Sequence, residues 1–305
     1  MHMHSRRIAS LLLAGILLLC AACRSPDADG VSSGTASFSG PDFPVSVTLV
    51  PGDTPVELYF PAMRIATVGE DVFHGLCLLS LQERIVAADS AGGAKVVDGQ
   101  DIADIGLPQM LDTAEIIAQN VDTVLTSVSL PTDTLDALTS QGISVLRVQS
   151  AGSLAALSDF LRALASVTLG AHTGAARADS VVAPLEETIL AAQSAAGSEP
   201  KPTAFYAATF GDYGLRTAAA DSAVAELLSL YFTLPLSGSV TEEDLLACDP
   251  AVILVDAGQE EAFRQAYAPL GLTAVETGRV VGIPNPQKAL SSFRLQPVLD
   301  ALQAA

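Results

Sequence analysis

Tryptophan is absent from the 305 residues, and aromatic residues make up only 5% of them. A wide aromatic cage for a large flat ligand is therefore not supplied by composition. Basic residues are scarce as well, with 15 Lys and Arg against 34 Asp and Glu, a net charge of −19 and a pI near 4.3. So acidic a chain is poorly suited to nucleic acid or to an anionic membrane surface. The signatures of common catalysts are missing too: there is no P-loop, Gly-x-Gly-x-x-Gly, Gly-x-Ser-x-Gly or His-Glu-x-x-His. The chain is accordingly read as a non-enzyme with no catalytic residues. What it has in quantity is apolar side chains, at 50%. They suffice for a large core, and the length allows one large domain or two of ordinary size.

The N-terminus reads as a targeting segment. Arg6 and Arg7 precede the apolar run from Ile8 to Cys20, whose 13 residues are too few for a permanent span. Leu19-Cys20-Ala21-Ala22-Cys23 then resembles a bacterial lipobox, with Cys20 where an aliphatic residue is usual. Residues 1–22 are thus expected to be a lipoprotein signal peptide, Cys23 the lipidated residue, and 23–44 a flexible tether. An ordinary secretory signal cleaved after Ala22 is the alternative. Cleavage leaves 13 basic residues against 34 acids, a net charge of −21, with His74 and His172 as the remaining histidines. Cys77 and Cys248, both in apolar helical patterns, read as buried thiols. No later apolar run reaches 18 residues.

From Val45 onward, short β-rich runs alternate with amphipathic stretches, the pattern of α/β units with mostly parallel sheets. Residues 45–152 form an expected N-terminal lobe, with strands at 64–68, 84–88, 123–126 and 144–148. Residues 199–305 form a C-terminal lobe, with strands at 203–209, 252–255 and 279–283. Its helices are expected at 221–232, 241–248, 260–270 and 292–303. Between the lobes, 153–198 is Ala- and Leu-rich with almost no β signal and reads as a helical connector. Gly170 and Gly174 divide it, and Pro184 should bend its second helix. A gapless internal repeat pairs residues 114–126 with 243–255, each a short helix, a turn and a buried strand. Capping-box patterns open both copies, at Asp112/Glu115 and Thr241/Asp244. One such unit per lobe implies a bilobed, pseudo-symmetric protein.

These runs resemble the periplasmic binding proteins in which a single long helix joins two Rossmann-like lobes. That class captures iron-siderophores, haem and cobalamin for ABC importers. The likeness is carried by Arg64-Ile-Ala-Thr-Val68, the helix from Glu70, Arg84-Ile-Val, the 113–126 signature, Gln141-Gly-Ile-Ser-Val-Leu146 and the 240–253 signature. The resemblance implies a cleft lined by loops 68–72, 105–110, 127–132, 209–216, 256–259 and 284–294, where open α/β sheets take ligands. Ser-Ala-Gly-Gly-Ala at 90–94 stands where many haem binders carry Tyr-Pro. An iron-siderophore is therefore the first expectation and a corrinoid the second. A haem-binding member and a ligand-sensing lipoprotein without transport are the alternatives.

The candidate ligand contacts are Glu70, His74, Met110, Tyr213, Arg216 and Arg294. Tyr213 is suited to pack on a chelate, and the two arginines to neutralise a carboxylate or iron-bound anion. A surface turn or salt bridge would account for them equally. His74 reads either as an axial ligand or as an ordinary helix histidine, and two isolated histidines do not make a bare metal site. Glu243 falls on the residue that, by resemblance, docks onto a permease arginine, whereas Ala114 occupies the matching lobe-one position, with Asp112 and Glu115 beside it. The expected partners are a permease with its ATPase and a small metal chelate, with no covalent cofactor. The protein is expected to be an extracytoplasmic monomer held by lipid to the bacterial cell membrane, at its outer face or on the periplasmic side, changing shape little on binding.

Overall fold

The computed structural model describes residues 42–90, 96–97, 100–197 and 200–305. The expected signal peptide, Cys23, the tether through residue 41, most of the 90–94 loop and the connector boundary at 198–199 lie outside the described residues.

The chain enters through a hairpin, β1 (Val45–Val47) paired antiparallel with β2 (Val56–Leu58). Next come β3 (Ile65–Val68), α1 (Glu70–Leu78) and β4 (Ile85–Ala88). Short pairs follow: β5 (Val96–Val97) with β6 (Gln100–Asp101), then β7 (Ala103–Asp104), then β8 (Gly106–Leu107) with β9 (Met110–Leu111). The lobe is completed by α2 (Thr113–Ala118), β10 (Thr123–Thr126), α3 (Thr132–Thr139) and β11 (Ser144–Arg147). Its five-stranded parallel sheet runs β11-β10-β3-β4-β7. Strands β3, β4 and β10 are buried at every position, so they read as apolar and threonine runs without the alternation of a half-exposed strand.

The connector is two helices, α4 (Ala156–Leu169) and α5 (Ala171–Ala195). The 25 residues of α5 span ~37 Å at ~1.5 Å each. Only Gly170, at φ 85°, separates the helices. Gly174, expected as a second break, lies inside α5 and continues the buried stripe Gly174, Ala178, Val182, Leu185, Ala192. A Cβ there would sit 2.7 Å from the Ala165 carbonyl oxygen, so glycine is what lets α4 and α5 pack backbone to backbone. The helix continues through Pro184. At its start Asp42 serves as a cap from far away in sequence. Its carboxylate accepts from the backbone N–H groups of His172 and Thr173 and from the Thr173 hydroxyl, and these bonds lower its pKa.

The second lobe holds β12 (Ala204–Ala207), α6 (Ala223–Leu228), α7 (Glu242–Cys248), β13 (Val252–Asp256), α8 (Glu260–Tyr267), α9 (Thr273–Glu276), β14 (Val280–Ile283), α10 (Pro286–Ser291) and α11 (Gln296–Ala304). Its sheet is parallel in the order β12-β13-β14. The closing helix expected at 292–303 starts later, at Gln296, and the stretch before it, expected as a loop, holds the additional short helix α10. Phe293 takes φ 58° between them and turns its ring into the core, stacked on Phe160 at 6.1 Å. Burying an aromatic ring outweighs the left-handed strain of ~1–2 kcal/mol.

The repeat is borne out in detail. Both copies are a short helix leading into the central part of a parallel sheet, β10 and β13 respectively. Asn120 (φ 51°) and Asp249 (φ 38°), which fall at the same repeat position, both end their helices in the left-handed conformation. The caps differ. Thr241 and Asp244 form a full capping box, whereas Asp112 accepts from Glu115 N–H while the Glu115 carboxylate accepts from Gln119 instead.

Strand alternation divides the second lobe's core in two. Ala204, Tyr206, Val252 and Leu254 face the connector, while Phe205, Ala207, Ile253 and Val255 face α7 and α8. The connector-facing layer continues through Phe160, Leu164 and Val182 to Ile65, Phe73 and Leu125 of the first lobe. One hydrophobic core therefore runs through both lobes, and residues Gly40–Ala305 form one compact unit.

Candidate functional site

The carboxyl ends of both sheets carry cavities that share helix α10. The first, about 230 Å³, lies between the lobes. Gly69, Glu70, Asp71, Ser127 and Ser150 line it from one side, and Gln287, Leu290, Ser291 and Phe293 from the other. Gly69, at φ 111°, turns the chain from β3 into α1, and a Cβ there would collide with the Ser127 hydroxyl. Glu70 and Asp71 occupy the first turn of α1, where the helix dipole favours acids. The Asp71 carboxylate accepts from the hydroxyls of Ser127 (2.5 Å) and Ser150 (2.7 Å), which follow β10 and β11. Glu70 Oε2 accepts from Ser291 Oγ at 2.9 Å, a hydrogen bond that joins the two lobes across the cleft floor.

One turn further, His74 Nε2 stands 3.7 Å from Glu70 Oε1. The ring is half-buried, and burial lowers its pKa, with the charge of Arg294 adding to the effect and Glu70 opposing it. His74 is therefore biased toward its neutral form.

The second cavity, about 660 Å³, lies at the ends of β12, β13 and β14. Asp256 closes β13 and is held by two neutral donors, Tyr206 Oη at 2.7 Å and Asn285 Nδ2 at 2.6 Å. Tyr206 is buried, and this, with the bond to Asp256, raises its pKa far above the usual tyrosine value. Asn285 Oδ1 in turn caps α10 by accepting from Lys288 N–H. Phe210 forms one wall, edge-to-face on Phe263 at 5.3 Å. Gly211 and Gly214, both at positive φ, bracket the short turn that carries Asp212 and Tyr213 into this cavity's lining. Tyr213 is 87% exposed, a large ring left available at the rim.

The structure thus brings Glu70 and Tyr213 to the two cavities. Met110 lies at the exposed β8–β9 turn, 81% exposed and away from both linings. Arg216 pairs its backbone with Thr209 and Ser239, leaving an exposed side chain outside both linings. Arg294 sits in a separate groove of about 360 Å³ with Leu78, Val181 and Pro184, on the far side of Phe293. Glu243 is exposed at the start of α7, Asp112 is exposed as the cap of α2, and Glu115 is half-buried within it. Asp71, Ser127, Ser150, Asp256, Asn285 and Lys288 were not singled out from sequence as site residues. All but Ser150 fall in the expected loops; Ser150 follows the partly exposed β11, after which no cleft loop was expected. Cys77 and Cys248, expected as buried thiols, are half-buried and are not joined in a disulfide. Among the described residues no three His, Cys, Asp or Glu side chains group as a metal site, and no helix is long and apolar enough to cross a membrane.

No family model and no curated protein sequence matches the chain. Solved structures do. The periplasmic haem-binding protein HutB of Vibrio cholerae superposes with a TM-score of 0.67 at 20% identity, covering 78% of this chain and 98% of its own. The iron uptake ABC transporter substrate-binding protein PiuA of Streptococcus pneumoniae gives 0.62 at 17%, covering 85% and 97%. The periplasmic vitamin B12-binding protein BtuF of Vibrio cholerae gives 0.58 at 18%, covering 81% and 100%. The fold is therefore that of the substrate-binding proteins in which a long helix joins two α/β lobes. These neighbours are named as binding proteins for iron, haem and vitamin B12, the class that the sequence resembles.

Proposed function

We propose that this protein is the extracytoplasmic substrate-binding lipoprotein of an ABC importer. It captures a metal chelate, an iron-siderophore first and a corrinoid second, between its lobes and delivers it to a permease with its ATPase. The observation that carries this reading is the pair of cavities joined by α10 at the carboxyl ends of both parallel sheets. Such a cleft offers polar groups at the floor and exposed apolar side chains, Tyr213 and Val128, at the rim. Similarity of fold to an iron-uptake ABC transporter component supports the transport role, and similarity to HutB keeps haem as the second reading.

In this reading Glu70 and Tyr213 contact the ligand. His74 acts through Glu70 rather than as a metal ligand, and Met110, Arg216 and Arg294 contribute from outside the cavities. Glu243 docks on the permease, with Asp112 and Glu115 as the nearest acids of the other lobe. Cys23 carries the lipid that holds the protein to the membrane, where it acts as a monomer. Native mass spectrometry of protein purified from its own host tests the reading through the mass of a co-purifying chelate. Stoichiometric binding of free Zn²⁺, with no response to any chelate, would remove it.

A further inference from the structure

Four carboxylates line the two cavities, those of Glu70, Asp71, Asp212 and Asp256, and Lys288 is the one lysine or arginine among the described lining residues. What holds these acids is as informative as their number. Asp71 is fixed by the Ser127 and Ser150 hydroxyls, Asp256 by a tyrosine hydroxyl and an amide, and Glu70 by the Ser291 hydroxyl. These donors are neutral. They orient a carboxylate without cancelling its charge, as an arginine would. Among the described ion pairs none joins these four to a lysine or arginine, and His74, 3.7 Å from Glu70, is biased toward its neutral form. The two arginines of the cleft loops lie outside both linings, Arg294 in the groove beyond Phe293. The cleft floor is thus a fixed field of negative charge in a chain that is itself strongly acidic, and low-dielectric walls focus such a field on whatever enters.

We infer that this cleft selects a neutral or cationic metal chelate, such as a ferric trihydroxamate, and rejects an anionic one, with Glu70, Asp71, Asp212 and Asp256 as the selecting charges. The inference rests on the chelate-binding reading above and narrows it. An anionic chelate would bring like charges together in a site with one ammonium to offset them, a juxtaposition that disfavours the wrong partner strongly.

The test uses the full lipidated protein in detergent and its tyrosine fluorescence, with four probes. These are a ferric trihydroxamate bearing a free ammonium, a neutral ferric trihydroxamate, a trianionic ferric tris-catecholate, and cobalamin. At low salt the cationic and neutral trihydroxamates should bind at least about tenfold more tightly than the tris-catecholate, and high salt should narrow the gap. Asp212→Asn, at an exposed turn, should narrow it as well while leaving the melting temperature unchanged. Binding of the tris-catecholate as tightly as the trihydroxamates overturns the charge selection and leaves chelate capture standing. Failure of all four probes overturns chelate capture itself, and the selection with it.

Discussion

Replacing Gly174 by alanine asks whether the lobes are joined by a lone helix or by a close-packed helix pair. In an exposed helix the change is stabilising by ~1 kcal/mol, because alanine loses less backbone freedom on folding. At Gly174 the new methyl would lie 2.7 Å from the Ala165 carbonyl oxygen, 2.9 Å from its carbon and 3.1 Å from Ser166 Cα. All three are backbone atoms, so no side-chain rotation relieves the clash, and α4 must move away from α5 by a few tenths of an ångström. Overpacking of this kind costs ~1–3 kcal/mol, and with backbone on both sides the upper end applies. Subtracting the propensity gain leaves a net loss of ~2 kcal/mol, which for a chain of this size lowers Tm by ~4–8 °C. Calorimetry of the purified protein measures it. Gly152→Ala is the control, since a Cβ there meets nothing within 4 Å, and its Tm should stay level or rise slightly. An unchanged or raised Tm for Gly174→Ala would refute the packing argument, leaving α4 and α5 apart at this point.

Three further outcomes are expected, two from the geometry and one from the N-terminal sequence. Because burial raises the Tyr206 pKa above the 10.0 of the free side chain, its stabilisation is complete below pH 10 and is lost as pH climbs beyond it. Tyr206→Phe should therefore flatten the alkaline fall in stability seen by urea unfolding, and a parallel fall in both proteins would exclude this residue as its source. Glu243→Arg, on an exposed helix start, should leave ligand affinity within about twofold while impairing cellular uptake, since like charges across a permease contact are unfavourable. The same change at Glu115 should do less, and normal uptake with Glu243→Arg would remove the docking role. Cys23→Ser should move the protein from the membrane pellet to the soluble exported fraction, and retention after a carbonate wash would rule out lipid on Cys23 as the anchor.

The sequence alone determined the parts whose signal is local. Buried parallel strands are rich in apolar and β-branched residues at every position, so Ile65–Val68, Thr123–Thr126 and Val252–Val255 stand out whatever packs on them. The repeat of 114–126 in 243–255 specified one helix–turn–strand unit per lobe, down to a left-handed residue at the same place in each. Five of the six expected cleft loops line a cavity, because in open α/β folds they come after such strands, whereas 105–110 lines neither and the lining segment at Ser150 was not expected. Tertiary structure decided which side chains in those loops face inward. Arg294 shares its loop with one other charged residue, Lys288, which lines the second cavity, yet the turn at Phe293 that buries a ring against Phe160 places Arg294 in a separate groove. Asp256 and Asn285 carried no local signal, since their meeting depends on β13 and β14 ending side by side. Gly174 is the sharpest case. Along the chain a glycine in an Ala-rich stretch reads as a break, because its own contribution to a helix is unfavourable. In the fold it is an interior helical residue, because the absence of a side chain lets a second helix backbone come within contact distance. Propensity is a property of one residue, whereas close approach belongs to two segments that the sequence holds apart.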